Sequence, residues 1–183
     1  MENSKILKRG LFVGRFQPLH KGHINSIKYC LDKVEELIVV IGSSDKSFES
    51  KNPFTAGERI EIIREAISSE INKETLQKIF IIPVPDIGIH RLWTYNMEIL
   101  VPKYNIVFTN DQFTSLLFRE RGIQIDHPEL IEREILSATE VRSRIINNKN
   151  WKELVSITTV NIIEEIKGIE RIKTINKINT DHH

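Results

Sequence analysis

"GLFVGRFQPLHKGHINSIKYCLDKVEELIVVIG", residues 10–42, holds two short apolar runs that each end on glycine, 10–14 and 34–42, on either side of a segment with a different rhythm. Between the runs, Ile24, Ile27, Leu31 and Val34 recur at helical spacing, so the stretch predicts strand, helix, strand. A unit of that kind packs as two parallel strands joined by a right-handed crossover.

The alternation continues downstream. Residues 55–71 predict a helix with Ile60, Ile63 and Ile67 on one face, 78–84 a strand, 91–101 a helix and 104–110 a strand. Residues 111–122 predict a helix closed by Gly122, followed by a short strand at 123–127. Helical polarity returns from Ser137 through Ile146, and 151–166 carries one or two more helices. The fold class expected is therefore α/β, an open, mostly parallel sheet flanked by helices, with a small helical C-terminal region. At 183 residues the chain is too short for an eight-stranded barrel and fits one domain. We expect its core over about 9–135, a helical part over about 136–173 and a frayed polar tail over 174–183.

Composition removes several function classes. Lys plus Arg number 26 and Asp plus Glu 25, a formal charge of +1, so no whole-molecule field collects nucleic acid or an anionic membrane. Any anion site has to be local. The single cysteine, Cys30, sits among apolar neighbours and reads as a small buried side chain. The opening "MENSKILKRG" has no long apolar stretch and no run approaches the roughly 20 residues of a membrane span. A soluble, cytoplasmic protein is the expectation.

Within the opening stretch, "GRFQPLHKGH" places His20 and His23 in the first strand-to-helix connection, which in an open parallel sheet borders the ligand crevice. Three readings stand for the pair: a phosphate site, a metal site, or plain polar surface. Free N–H groups at a helix start favour anions, and Arg15 supplies a guanidinium that can hold two phosphate oxygens. Zinc would need a third and usually a fourth ligand, and His90, His127, His182 and His183 offer no nearby pair with convincing spacing. The loop is not a dinucleotide-binding GxGxxG, since "GRFQPL" has one glycine. A second cluster lies in "LSATEVRSRI", 136–145. Ser137 or Thr139 can cap a helix, with Glu140 completing a capping box. Capping alone accounts for these residues; so does an anion cradle of hydroxyls, helix N-terminus and Arg142.

The two clusters together resemble the paired signatures of nucleotidyltransferases that carry a His-x-Gly-His motif and a later Ser/Thr-x-x-Arg motif. Within that superfamily the chain most resembles the archaeal type of nicotinamide-nucleotide adenylyltransferase, through "RGLFVGRFQPLHKGH", "IGSS", "NPFTAGER", "IIPVPDI", "LW", "WKELV" and "IKGIERIK" over residues 9–173. The resemblance implies a Rossmann-like sheet and the reaction of ATP with nicotinamide mononucleotide to give NAD and pyrophosphate, with Mg2+ bridging the ATP phosphates. It implies that Arg15, His20, His23 and Arg142 are catalytic, and that Gly14, Phe16, Lys51, Ser137 and Thr139 complete the ATP site. Asn110, at a strand end, is the candidate for the adenylate side. Asp86 and Trp93 match the residues that members place beside the nicotinamide. On residue chemistry alone, Asp86 is equally a loop cap and Trp93 a helix anchor. Members of the archaeal type form homo-oligomers, often hexamers.

Two positions depart from the family pattern: Ala138 stands where a middle hydroxyl is common, and Lys51 where relatives tend to have arginine. Lys51 keeps the charge but loses the planar two-oxygen grip. The readings that compete are the same transfer to nicotinic acid mononucleotide or FMN, a non-catalytic ATP or NAD sensor, and an RNA-binding relative of a synthetase core. The neutral charge disfavours the last.

Overall fold

The computed structural model describes residues 8–129 and 135–181. Five strands, β1 (Arg9–Gly14), β2 (Glu36–Ile41), β3 (Ile79–Pro83), β4 (Ile106–Phe108) and β5 (Gln124–Asp126), form one parallel sheet in the order β3-β2-β1-β4-β5. Between them run α1 (Lys21–Leu31), α2 (Ala56–Glu70), α3 (His90–Leu100) and α4 (Gln112–Arg119), and α5 (Ala138–Ile146), α6 (Ile157–Glu165) and α7 (Gly168–Thr180) follow. This is the α/β architecture expected, helical C-terminal region included. A short 3-10 turn, Glu74–Lys78, lies outside every expected element, and the expected helical stretch 151–166 opens with another, Lys152–Leu154, before α6.

The central strands β1, β2 and β4 carry continuous apolar runs because both faces of the sheet are covered there. Along β2, Leu37, Val39 and Ile41 join the core under α1, α2 and the C-terminal helices, while Ile38 and Val40 join the core under α3 and α4. Each such fully buried side chain contributes roughly 1.5–3 kcal/mol. Cys30 lies in the first core, where burial pushes its thiol pKa up, and it is an inert packing residue. Among the described residues no helix is long and apolar enough to cross a membrane.

The order of strands positions the site. The chain steps outward from β1 to β2 to β3, then returns to the other side of β1 with β4, so successive connections leave on opposite faces at the β1/β4 boundary. Side chains at the carboxyl ends of those two strands border the resulting crevice.

The ends of the helices follow local chemistry. Gly122, at φ +72°, closes α4 by a Schellman arrangement, with Ile123 N–H on the Phe118 carbonyl and Gly122 N–H on that of Arg119. At the start of α2, Thr55 Oγ1 accepts from Glu58 N–H (3.2 Å) and Glu58 accepts from Thr55 N–H (2.8 Å). That reciprocal box was legible in the "T-x-x-E" of "NPFTAGER".

The frayed tail is a correction. Helix α7 runs on to Thr180, with only 182–183 outside the described residues. Ile172 and Ile175 are buried, and Arg171 forks onto both carboxylate oxygens of Glu58 at 2.7 and 2.8 Å. A polar composition concealed one apolar stripe and one ion pair. Helix α6 buries Val160, Ile162 and Ile163 within the chain.

Candidate active site

The loop between β1 and α1 is fastened from three sides. Gln17 exchanges both side-chain hydrogen bonds with the backbone of Phe54, each at 2.9 Å. Arg142 Nη1 donates to the Gln17 carbonyl at 2.7 Å. Arg59, with no exposed surface, donates to the carbonyls of Arg15, Gly42, Ser43 and Thr55 at 2.9–3.2 Å. It ties together the carboxyl ends of β1 and β2. Burial, joined by the like charge of Arg15, pulls Arg59 down to about 10 against the attraction of Asp45, so it stays charged at neutral pH. Arg59 is the last residue of "NPFTAGER" and was not singled out, since an arginine in a helix normally reads as solvated surface.

On this loop, Gly14 ends β1 where a Cβ would lie 2.7 Å from the Phe16 ring. Phe16, at φ +51°, turns its ring into the core beside Phe12 and His23. Its side chain lines none of the clefts described below, so it can meet a ligand only through its backbone. His20 caps α1, and Gly22 keeps the helix start slim: a Cβ there would lie 3.0 Å from His20 Nδ1.

The two imidazoles lie against each other, with ring centroids 3.7 Å apart and planes tilted by 32°. His23 Nδ1 accepts the His20 N–H at 3.3 Å, which in the neutral ring leaves the proton on Nε2. Burial lowers His20 to about 4, and burial with the His20 charge holds His23 well below its usual value. Both are neutral donors at pH 7. His20 Nδ1 is buried without a hydrogen-bond partner.

His20, His23, Asn110 and Ser137 line one cleft of about 260 Å³ at the β1/β4 boundary, with Thr109, Asp111 and Leu136. Four candidates drawn from three separate stretches of the sequence thus share one wall. Ser137 also caps α5, accepting from Glu140 N–H at 3.1 Å. The expected box is only half made, because the Glu140 carboxylate turns to Arg144 at 2.8 Å. Asn110 donates to the Pro128 carbonyl at 2.7 Å.

Arg15 and Lys51 lie elsewhere, lining a wider cleft of about 610 Å³ with Lys46, Asn52 and Asp86. Asp86 and Lys46 also line a third cleft, of about 500 Å³, which holds Trp93, Asp45, Phe113 and Thr114. Trp93 packs edge-on against Phe118, centroids 5.9 Å apart, so it is both anchor and wall. Asp86 is paired to Lys46 at 2.9 Å. Burial pushes its carboxyl up, but Lys46 and Ser43 outweigh that and hold it below the ordinary range. Lys46 was also missed; a lone lysine in a polar loop gives no sequence signal.

Arg142 and Thr139 line none of these clefts. Arg142 is buried behind the loop, its Nη2 3.4 Å from Thr139 Oγ1, and burial together with Arg15 lowers its pKa. Among the described residues no group of three or more His, Cys, Asp or Glu is placed to hold a metal ion.

The neutral histidines give a pH test. A base whose folded pKa is depressed lets the unfolded chain bind the extra proton, so stability is present above about pH 6.5 and is lost as pH falls toward 4. The His20→Asn variant should flatten that loss by up to about 3 kcal/mol, read from thermal unfolding at pH 7 and pH 4.5. An unchanged pH profile would show that the ring is not desolvated.

The chain is similar to known proteins over most of its length. The cytidylyltransferase-like family model matches residues 11–144. The nicotinamide-nucleotide adenylyltransferase of Pyrococcus furiosus is 44% identical over 170 residues, covering 92% of this chain and 89% of that protein. The enzyme of the same name from Saccharolobus solfataricus is 41% identical over 169 residues, covering 92% and 97%. Among solved structures, a bifunctional NMN adenylyltransferase/ADP ribose pyrophosphatase from Francisella tularensis, complexed with AMP and a manganese ion, superposes with a TM-score of 0.76 at 20% identity. It matches 96% of this chain, which spans 54% of that one, and the likeness concerns the fold.

Proposed function

Given that the chain belongs to the cytidylyltransferase-like family and, within it, to the archaeal nicotinamide-nucleotide adenylyltransferases, we propose that it joins the AMP moiety of ATP to nicotinamide mononucleotide, forming NAD and pyrophosphate. The observation that carries the reading is the cleft at the strand-order reversal in which His20, His23, Asn110 and Ser137 converge with the N-termini of α1 and α5.

An oxygen of the acceptor's 5'-phosphate attacks the alpha-phosphorus of ATP in line. The new P–O bond forms as the bond to the bridging oxygen of the beta-phosphate breaks, and pyrophosphate leaves with that electron pair. The attacking oxygen is already ionised at pH 7, so no strong base is needed and the work is electrostatic alignment. His23 Nε2–H and His20 donate to the alpha- and beta-phosphate oxygens. The backbone at Gly14 and Phe16 and the helix N-termini, with Ser137 and Thr139, hold the outer phosphates. Arg15 and Lys51 offset the repulsion between two anionic reactants. Arg142 acts on the triphosphate by charge while its Nη1 fixes the loop at Gln17. Asn110 serves the adenosine. Magnesium would be bound with the ATP substrate, where it would neutralise phosphate charge.

A homo-oligomer belongs to the same reading, supported by Leu92, Tyr95 and Ile99 of α3 and Phe113 and Leu116 of α4, all exposed apolar side chains.

The deciding experiment is an initial-rate comparison of nicotinamide, nicotinic acid and flavin mononucleotides with ATP and Mg2+. The nicotinamide acceptor should give the highest kcat/KM. Greater efficiency with FMN overturns the assignment, and tight ATP binding without pyrophosphate release would favour a sensor.

Asp86 and Trp93 serve the acceptor in this reading, with the indole against the pyridinium. Trp93→Ala should raise KM for nicotinamide mononucleotide several-fold and leave that for ATP within about twofold. Equal losses for both ligands in a folded variant would make Trp93 a support for the whole site through Phe118.

A further inference from the structure

Lys46 and Asp86 are the two residues common to the wider cleft, which holds Arg15 and Lys51, and the cleft that holds Trp93. Their side chains pair at 2.9 Å while remaining 42% and 37% exposed. A pair that open to water is held weakly and separates at little cost. The backbone supports Asp86 independently of Lys46, since its N–H is held by Asp45 Oδ1 at 2.9 Å. Losing its partner therefore leaves Asp86 in place.

The acceptor of the proposed reaction is itself a zwitterion, with an anionic phosphate at one end and a cationic pyridinium at the other. Its pyridinium end fits the cleft with Trp93, Asp45 and Asp86, and its phosphate end the cleft with Arg15, Lys46 and Lys51. The ion pair lies between, with one charge complementary to each end.

Resting on the adenylyltransferase reading, we propose that the Lys46–Asp86 pair is a counter-ion lock that acceptor binding opens. Lys46 transfers its charge to the acceptor's 5'-phosphate and Asp86 is released to the nicotinamide-ribose half. Lys46 is thus a binding residue for the acceptor phosphate, and its pairing in the free protein keeps Asp86 satisfied until the acceptor arrives.

The lock predicts opposite consequences for acceptors with and without phosphate. In direct titrations, Lys46→Met should weaken nicotinamide mononucleotide by about tenfold or more. Nicotinamide riboside, which has no phosphate, should bind the variant as well as or better than it binds the unsubstituted protein, because Asp86 is already free. Lys46→Arg should recover most of the mononucleotide affinity. Equal losses for mononucleotide and riboside would mean that Lys46 acts only by positioning Asp86, and no loss for either would mean that it does not meet the acceptor; each overturns the proposal. If the unsubstituted protein itself fails to bind the mononucleotide, the adenylyltransferase reading fails with it. Binding by the unsubstituted protein that Lys46→Met leaves unchanged removes the lock alone.

Discussion

Replacing His23 with alanine is expected to lower kcat for NAD formation by about 100-fold or more, with a much smaller change in KM for ATP. The ring is neutral, its Nδ1 is engaged by the His20 N–H, and the remaining donor lies on the cleft wall shared with Ser137 and Asn110. A fixed donor aimed at charge that grows in the transition state lowers the barrier by about 2.7–4 kcal/mol, and the rate constant falls tenfold for each ~1.4 kcal/mol of that stabilisation lost. The structural cost is separable. The substitution removes one long hydrogen bond and a ring contact with Phe16 at 4.8 Å, a loss of about 1 kcal/mol, which the unfolding midpoint reports. Turnover near that of the unsubstituted protein, in a folded variant, would return His23 to the plain polar reading.

The second large effect is on stability. Arg59→Met should lower stability by about 3–5 kcal/mol, since it leaves buried carbonyls without their side-chain donor. The carbonyls at risk are those of Arg15 and Gly42, with Ser43 retaining Lys46 N–H and Thr55 its helical partner, Arg59 N–H. For a domain of this size the midpoint of thermal unfolding falls by about 2–4 °C per kcal/mol, hence by about 6–20 °C. Arg59→Lys keeps the charge but cannot fork to separate carbonyls, and should lie between. Because Arg59 holds the backbone of Arg15, surviving protein should also show weaker ATP binding. A methionine variant that melts within about 2 °C of the unsubstituted protein would show that water replaces the guanidinium without loss.

Much of this architecture was legible from residues alone. Glycine-ended apolar runs around a helical spacing announce a β-α-β unit, and Gly122 announces the end of α4, because each signal depends on a few neighbouring residues. The same holds for His20 and His23 at a helix start and for Ser137 as a cap. Where local signals competed, the reading went astray. Residues 174–180 look polar enough to fray, yet they continue α7, and Ile175 among them is buried like Ile172 before them. Glu140 has the spacing for a capping box, yet Arg144 one turn later takes its carboxylate.

By itself, then, the sequence determined the succession of the main elements, the residues of the loop after β1 and of the start of α5, and the family to which the chain belongs. The tertiary structure alone decided the strand order β3-β2-β1-β4-β5, and so which loops meet. It turned Arg142 inward to Gln17, buried Arg59 among carbonyls, and joined Lys46 to Asp86 across forty residues. A continuous apolar run reports that a strand is covered on both faces but carries no label for its neighbour. A charged side chain likewise shows its partner only when the fold brings another loop within about 3 Å, a distance set by the packing of the whole sheet.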